Sequence, residues 1–351
     1  MKIKYDSMEN AMRRLFAATL FFTLILLSGR DAYALGECGL SCCIAGATTS
    51  GVTLAENFGV SLVYEYAFME TIKNGTDKVT PDEAIAANQV MGQSYSVPTE
   101  MKMQKLSLVG VLPVNERLQL LASVPYIIND MDMRSRSAMG MTMDMSMAQI
   151  SGLGDVTLMG LYTLYADAPV RPGHRLTVGL GVKAPTGKTD ERKSNGSLVH
   201  AMMQPGSGSW DPLFLVNYTR GLYPLVLQAN LFYQLTTEGF NGYEFGDKFA
   251  IDLAAKYQAT QYVNLGVEVN AVHAEQDKDH DGKYSNPVRS MIDNPDFTGL
   301  DSVFVSPVVQ VKIPNSGGSA EFKYQVPVYQ DVNGFQQVID WRALATVVWV
   351  F

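Results

Sequence analysis

The sequence has little of what most enzymes and nucleic-acid-binding proteins carry. Charged residues make up only 18% of the chain, and the formal net charge is −8. Because no basic patch is available to neutralise phosphates, a nucleic-acid partner is not expected. Only four histidines are present, and none has the spacing of a nucleophile elbow or of a metalloprotease helix. We therefore expect no enzymatic activity.

Long apolar runs are also scarce, because the chain has a single one, from Leu15 to Ser28. This run follows Arg13 and Arg14 and leads into Ala32-Tyr33-Ala34. A basic start, a short apolar core and an A-x-A ending are typical of a secretory signal peptide, which we place at residues 1–34. The run is shorter than the ~20 residues that a spanning helix needs. Any membrane insertion must then be as a closed barrel, because lipid offers no partner to unpaired backbone groups.

Cysteine is rare as well, and Cys38, Cys42 and Cys43 are the only three. All lie in residues 35–58, which we interpret as an N-terminal periplasmic or plug segment. In an oxidising compartment two of them would form a local disulfide and leave one thiol over, and this is the interpretation we favour. The alternative is a soft-metal or tethering site at the periplasmic mouth, where a periplasmic partner could bind.

The rest of the chain is rich in alternating apolar and polar residues, and the last segment, Ile339–Phe351, shows the pattern best. Trp341, Trp349 and Phe351 fall on one face of an extended strand, and Arg342 falls on the other. Apolar residues on one face with aromatic residues near both ends indicate a lipid-facing strand, and bacterial outer-membrane barrels typically end in such a strand. The alternative is a buried final strand of a soluble β-sandwich.

Twelve segments of this kind follow one another, and the connections between them alternate between long and short. The predicted strands are Gly59–Met69, Glu100–Leu112, Arg117–Ile127, Leu153–Tyr165, His174–Pro185, Ser209–Arg220, Pro224–Leu235, Asp247–Gln258, Tyr262–His273, Asp301–Ile313, Ser319–Tyr329 and Ile339–Phe351. A sixth outer loop is expected around Asn333 and Gly334. This alternation predicts an all-β fold, a transmembrane up-and-down antiparallel β-barrel of about 12 strands over residues 59–351 in a Gram-negative outer membrane.

Charged residues of the predicted strands should face the lumen, because Lys or Arg on the lipid face near the midplane costs roughly 2–4 kcal/mol. The lumen or constriction candidates are Glu65, Lys105, Arg117, Asp155, Arg175, Lys183, Lys248, Asp252, Lys256, Glu268, Glu321, Lys323, Asp340 and Arg342. Twelve strands enclose a narrow interior, which the loops or residues 35–58 could plug.

Three motifs in order carry a family resemblance. Gly152–Tyr165 begins with Gly-x-Gly-Asp, Gly181–Asp190 contains Pro-Thr-Gly, and Gly206–Arg220 begins with Gly-Ser-Gly-Ser-Trp-Asp. Together they resemble the outer-membrane transporter family named for the MetA pathway of phenol degradation. The resemblance implies a barrel that passes small, often hydrophobic or aromatic molecules.

The aspartates of these motifs also have an interpretation that does not depend on the resemblance. Asp155 and Asp211 lie at inward positions near strand starts, where they could pair with Arg175 or Lys183 on neighbouring strands. Such pairs would either line a constriction or form a cross-strand lattice that stiffens the wall. We favour the lattice.

Methionine is concentrated in the second predicted outer loop. The residues are Met131, Met133, Met139, Met141, Met143, Met145 and Met147. Thioether sulfur is a soft ligand that selects Cu(I), and the alternate spacing from Met141 to Met147 would place four sulfurs on one face of an extended segment. The alternative is an adaptable apolar lid, because methionine fits irregular surfaces.

A second metal candidate lies in the fifth predicted outer loop. Asp277, Asp279 and Asp281 match the first half of a calcium-binding loop, but Val288 occupies the place of the bidentate glutamate. The sequence therefore allows only a weak calcium site, and a solvated acidic turn is the alternative. No other cofactor is expected.

From these features we predict an outer-membrane channel for passive passage of small molecules, with lipid and solute as its partners. The alternative is a role without transport, as a scaffold or a copper-type metal-handling component of the envelope. That role would use the cysteine-rich segment and the methionine-rich loop.

Overall fold

The computed structural model describes residues 58–168, 172–193, 196–314 and 316–351. The predicted signal peptide, the three cysteines and residues 35–57 lie outside these ranges. Within them, twelve long strands occur: β1 Gly59–Met69, β2 Tyr95–Pro113, β3 Leu118–Arg136, β4 Val156–Ala166, β5 His174–Ala184, β6 Asp211–Leu222, β7 Leu225–Gln234, β8 Lys248–Gln258, β9 Val263–Ala274, β10 Leu300–Lys312, β11 Gly318–Val338 and β12 Trp341–Val350. None of the described helices is long and apolar enough to cross a membrane.

The twelve strands close into a barrel. Each strand pairs antiparallel with its neighbours along the chain. β1 also pairs with β12 along its length, from Gly59 opposite Val350 to Phe68 opposite Trp341. Closure satisfies the backbone hydrogen bonds of both terminal strands, which is the condition for a sheet to stand in hydrocarbon. The prediction of a twelve-stranded up-and-down barrel is confirmed.

The faces of the strands also follow the predicted alternation. On β8 the outward Leu253 is 52% exposed, whereas its neighbour Asp252 is buried inside the barrel. Near one end of the barrel, Trp341 stacks on Tyr66 and Tyr324 of adjacent strands, with ring centroids 5.3 and 5.8 Å apart. An apolar outer surface with aromatic residues at its margin is the surface that lipid covers.

This placement of the bilayer predicts the cost of a charge on the outer surface. Leu253→Arg, near the middle of β8, should destabilise the folded barrel by about 2–4 kcal/mol, because the guanidinium would lie at the depth of the hydrocarbon midplane. Leu222→Arg, at the end of β6, should cost about 0–1 kcal/mol, because its charge reaches the interface. Urea unfolding in lipid vesicles, followed by tryptophan fluorescence, measures both. Equal costs would show that the lipid belt is misplaced.

The connections differ strongly between the two ends of the barrel. One end has the long connections 70–94, 137–155, 185–210, 235–247 and 275–299, and the other has short turns such as 114–117 and 259–262. Outer-membrane barrels have short periplasmic turns and long outer loops, so we refer to the long-loop end as the outer end. Phe351 then lies at the periplasmic end.

The prediction of a sixth long outer loop is wrong. β11 continues through Asn333 and Gly334 to Val338, so that only Ile339 and Asp340 connect it to β12. The upper part of β11 pairs with a short strand of the first outer loop, Thr71–Gly75. This pairing supplies hydrogen-bond partners to backbone groups that would otherwise lack them, and the strand therefore extends beyond its predicted end at Tyr329.

The predicted strand Leu153–Tyr165 is interrupted. A short strand, Ile150–Leu153, pairs with β3, and β4 begins only at Val156. At the break, a Cβ on Gly154 would lie 2.9 Å from Ile127 Cδ1 and 3.1 Å from the Pro205 carbonyl oxygen. Only glycine allows the chain to come this close to its neighbours.

Two prolines lie at interruptions of the strand ladder. The Pro125 carbonyl accepts a hydrogen bond from the Gly154 amide at 2.8 Å, at the break before β4. Pro307 lies where β10 and β11 are not paired, between the pairs Val305–Val326 and Val308–Lys323. Proline has no amide hydrogen to donate, so it occupies ladder positions where no donor is needed.

The first outer loop forms a small helix, α1 Pro81–Asn88. Thr80 and Glu83 make a reciprocal capping box, and Pro81 occupies the first turn, where its missing amide hydrogen is not required. The helix buries Ala84 and Ile85 in a small apolar cluster. The other buried members of the cluster are Ile72, Tyr95, Val97 and Met291. Loops from distant parts of the chain therefore pack together over the outer end of the barrel.

Candidate functional site

The three sequence motifs meet at the outer end of the lumen. The Asp155 carboxylate accepts hydrogen bonds from the Gly187 amide at 2.9 Å and from the amide and hydroxyl of Ser207 at 2.8 and 2.7 Å. The Thr186 hydroxyl donates to the Gly154 carbonyl at 3.2 Å. We refer to Gly154–Asp155, Thr186–Gly187 and Gly206–Ser207 as the motif junction. It ties the start of β4 to both ends of the loop between β5 and β6.

Lys183 lies between the two aspartates of the motifs. Its ammonium is in close contact with the Asp211 carboxylate and lies 3.7 Å from Asp155. Asp211 is fully buried and also accepts a hydrogen bond from Gln234 Nε2 at 2.7 Å. The predicted pairing therefore forms with Lys183, whereas Arg175 lies near the opposite end of β5.

A cavity of about 440 Å³ lies beside the motif junction, inside the outer half of the barrel. Its apolar lining includes Met69, Met101, Met103, Leu213, Phe232, Phe245, Met291, Phe297 and Phe335. Its polar lining includes Asp155, Lys183, Gln234, Lys248 and Asp277. A mainly apolar pocket of this size with a few polar groups is the usual form of a small-molecule site.

Loop segments cover the outer side of this cavity. They include the short helices Ala201–Met203, Met291–Asp293 and Pro295–Phe297. His200 Nδ1 lies 2.5 Å from Asp293 Oδ1, and His200 Nε2 lies 3.1 Å from Lys193 Nζ. The contact with Asp293 joins the loop between β5 and β6 to the loop between β9 and β10, and the contact with Lys193 lies within the first of these loops. The roof of the cavity is thus held together by side chains from separate loops.

Methionines form much of the wall near this roof. Met101, Met131, Met133 and Met203 are buried in one cluster, against which Met103 and Met147 pack. The prediction that Met131 and Met133 belong to an outer loop is wrong, because β3 continues to Arg136 and turns both side chains inward. Their alternate spacing, and that of Met101 and Met103, was the sequence signal for an inward apolar face.

Apolar side chains fill part of the lumen below the cavity. The buried cluster comprises Val63, Val109, Val111, Leu121, Met159, Leu161, Leu213, Leu215, Phe232, Ala250 and Val272. Leu213 and Phe232 also line the cavity, so the cluster forms its floor. Thr157 on β4 and Lys248 on β8 line the cavity. The next inward residue toward the periplasm on each strand, Met159 and Ala250 respectively, is buried. A solute in the cavity therefore meets packed side chains rather than an open aqueous passage.

The inner wall also carries buried charges. Lys256 Nζ lies 2.6 Å from Glu321 and 3.8 Å from Glu268, and Glu268 is also in close contact with Lys323. On neighbouring strands, Glu65 lies 2.6 Å from Lys105 and 3.2 Å from Arg342. These seven residues were all predicted lumen candidates. The barrel brings them together in two groups, and each group contains both positive and negative side chains.

The remaining candidates have other positions. Asp252 is buried and accepts a hydrogen bond from Asn270 Nδ2 at 2.7 Å. Asp340 lies in the outer turn before β12, where it accepts hydrogen bonds from the amide and hydroxyl of Thr71 at 3.0 and 2.7 Å. Arg117 is exposed in the periplasmic turn before β3. Arg117 and Asp340 thus lie at the two ends of the barrel, away from the charged groups of the wall.

The three aspartates of the calcium-like segment do not converge. Asp277 accepts hydrogen bonds from the Tyr243 hydroxyl at 2.7 Å and the Gly246 amide at 2.8 Å. Asp279 accepts from the Ser285 amide at 2.8 Å, and Asp281 pairs with Lys283 at 2.7 Å. Across the described ranges, no group of three His, Cys, Asp or Glu residues is placed to hold a metal ion. The calcium interpretation is therefore not supported by the geometry.

The surroundings of Asp277 set its electrostatics. Burial raises the pKa of the Asp277 carboxyl, although hydrogen bonds from Tyr243 and Gly246 act in the opposite direction. Burial, together with the neighbouring Asp277, raises the pKa of the Tyr243 hydroxyl, which therefore stays protonated as a donor. The pair fixes the loop between β7 and β8 against the loop between β9 and β10.

The methionines predicted to bind copper are mostly exposed. Met143 and Met145 lie on a short strand, Thr142–Ser146, that pairs with the upper part of β3, and Met141 precedes it. Met147 instead packs against the buried cluster. Residues two apart on a strand are separated by about 6.6 Å along the backbone, and their side chains lie on the same face. Copper binding stays a prediction.

The fold defines the class of the protein. A closed twelve-stranded barrel with a lipid-compatible surface is a transmembrane β-barrel of the outer-membrane type. The chain belongs to the family described as "putative MetA-pathway of phenol degradation", whose model matches residues 110–335. The match spans all three motifs, and the predicted family resemblance is confirmed.

A solved structure supports the fold. An outer membrane channel from Pseudomonas putida F1 is similar over 85% of this chain and 97% of its own, with 14% identity and a TM-score of 0.54. Two other barrels are more distant. A FadL homologue from Pseudomonas aeruginosa is similar over 84% of this chain and 91% of its own, with 10% identity and a TM-score of 0.41. The CymD monoaromatic hydrocarbon channel is similar over 85% of this chain and 89% of its own, with 10% identity and a TM-score of 0.40. No curated protein sequence matches the chain significantly.

Proposed function

We propose that the protein is an outer-membrane channel that binds small hydrophobic molecules in the outer half of its lumen and passes them inward by passive diffusion. The observation that carries this proposal is the cavity of about 440 Å³ with its thioether and aromatic lining. Membership of the family agrees with it, and so does the similarity in fold to the Pseudomonas putida protein, which is described as an outer membrane channel.

The filled lumen below the cavity specifies the kind of channel. Because apolar and charged side chains pack beneath the bound solute, passage requires these side chains to move. A general porin would instead keep an aqueous path open for ions and sugars. We therefore propose a binding step followed by slow release, with no catalysis and no coupling to an energy source.

Filling the cavity should block this function. Met103 lies on β2, points inward and lines the cavity. Met103→Trp should reduce the uptake of a small hydrophobic probe several-fold, because the indole occupies solute volume. The measurement is the rate at which N-phenylnaphthylamine becomes fluorescent in cells whose outer membrane contains the full-length protein, compared with cells that lack it.

A matched control lies on the same strand. Leu108 is 53% exposed on the lipid-facing side of β2, so Leu108→Trp adds the same ring outside the barrel. This variant should leave uptake unchanged. The proposal is wrong if both variants transport the probe at the wild-type rate while folding normally, or if the wild-type protein adds nothing to the rate of cells without it.

A further inference from the structure

The two lysines of the cavity differ in their surroundings. The Lys183 ammonium is neutralised by Asp211 and Asp155. Lys248, the first residue of β8, is partly buried and also lines the cavity. In the part of the chain that the structure describes, no hydrogen bond or ion pair engages the Lys248 ammonium.

Two carboxylates near Lys248, those of Asp277 and Asp247, are already engaged with other donors. Asp277 accepts hydrogen bonds from Tyr243 and Gly246. Asp247, the residue before Lys248, accepts them from the Thr236 amide and hydroxyl at 2.7 and 2.9 Å. Among the described residues, no carboxylate lies within 4 Å of the Lys248 ammonium; Asp277 and Asp211 attract it from farther away, and the wall around it is mainly apolar. An ammonium in such a place is costly unless a ligand supplies the opposite charge.

The rest of the lining limits what that ligand can be. Aromatic rings and thioethers surround most of the cavity, so the body of the ligand must be apolar. Lys248 offers one positive charge, and Asp155 and Asp277 also line the cavity, so a doubly charged head group would be repelled. A single carboxylate satisfies both conditions, because it is the common monoanion that pairs with one ammonium.

We propose that the cavity selects small aromatic or aliphatic monocarboxylates, with the carboxylate bound to Lys248 Nζ and the apolar body between the methionines and phenylalanines. This assignment rests on the proposed function and adds the substrate class to it. Neutral hydrocarbons of the same size would bind in the same cavity but would leave Lys248 unpaired.

The test compares an acid with its neutral isostere on the full-length protein in nanodiscs. 4-Phenylbutyrate and 4-phenylbutyramide are titrated calorimetrically, and empty nanodiscs correct for partition into lipid. The acid should bind the wild-type protein about tenfold more tightly than the amide, because a charge-assisted hydrogen bond is stronger than a neutral one. Equal affinities, or a preference for the amide, would overturn the assignment without any variant being made.

Variants then locate the preference. Lys248→Met keeps the apolar stem, so it should abolish the preference for the acid and leave the affinity for the amide within about twofold, whereas Lys248→Arg should retain the preference. Lys278→Met removes an exposed outer-loop lysine that pairs with Glu244 at 2.6 Å, and it should change neither affinity. A preference that survives Lys248→Met would overturn the role of Lys248.

Failure of this inference can be told apart from failure of the proposed function. If acid and amide bind equally and Met103→Trp still blocks probe uptake, the monocarboxylate assignment is wrong and the channel for hydrophobic molecules stands. If neither compound binds and Met103→Trp leaves uptake unchanged, the cavity is not a transport site and both proposals fail.

Discussion

Gly206→Ala is expected to destabilise the barrel by about 3 kcal/mol or more, because the motif junction has no room for a methyl group. A Cβ on Gly206 would lie 2.5 Å from the backbone carbonyl carbon of Gly187. No rotamer change can relieve this contact, since both sides of it are backbone. Separating the two segments would also weaken the hydrogen bonds that Asp155 accepts from Gly187 and Ser207.

The measurement is urea unfolding of the refolded full-length protein in lipid vesicles, with heat-dependent gel mobility as a check of assembly. Gly110→Ala is the matched control, because a Cβ there would meet nothing within 4 Å. Alanine in a strand interior is slightly better than glycine, so this variant should be neutral or stabilising by about 0.5–1 kcal/mol. Similar stability of the two variants would mean that Gly187 and Gly206 do not touch in the folded protein.

A loosened motif junction should also affect transport. Gly206 and Ser207 line the cavity and follow the helix Ala201–Met203 of its roof. Displacing them would open the cavity to water and remove part of its apolar wall. The position of the family motifs is therefore explained by structure: they hold the loop that completes the site.

Glu268→Gln is expected to cost about 3–5 kcal/mol, because it removes the shared partner of two buried lysines. Glu268 is 2% exposed and contacts both Lys323 and Lys256. Glutamine keeps the shape of the side chain but carries no charge, so the loss is electrostatic. In the low-dielectric interior of the wall, an uncompensated ammonium costs far more than at the surface.

The double variant Glu268→Gln with Lys323→Met should recover much of the lost stability, because replacing both members of a buried pair is often nearly neutral. Glu100→Gln is the surface control, since Glu100 and its partner Lys102 are both about one-third exposed or more. This change should cost no more than about 1 kcal/mol. Unfolding measurements on the wild type, the two single variants and the double variant form a double-mutant cycle, and strict additivity would exclude coupling between Glu268 and Lys323.

The barrel wall could be predicted from the sequence almost strand by strand. β1 has its predicted bounds, Gly59–Met69, and most other strands begin and end within a few residues of the prediction. Period-two alternation is a local property, and hydrocarbon penalises every misplaced charge along a strand. The inward direction of Glu65, Glu268 and Lys323 follows from the same rule. Errors occur where strands leave the bilayer, as at the extended ends of β2, β3 and β11, because the lipid constraint no longer acts there.

The cavity could not be predicted in this way. Met103, Gly206 and Met291 lie far apart in sequence, and the structure brings them to one place through strand register and loop packing. No local pattern reports which loops meet over a lumen. Lys183 has its predicted partner Asp211 directly opposite on the next strand, whereas the surroundings of Lys248 depend on where the outer loops place Asp277.

The sequence by itself determined the strands, their faces and the family, because these depend on residues close together in the chain. Only the tertiary structure decided the roof, the filled lumen and the surroundings of Lys248, because each depends on contacts between segments that lie far apart in the chain.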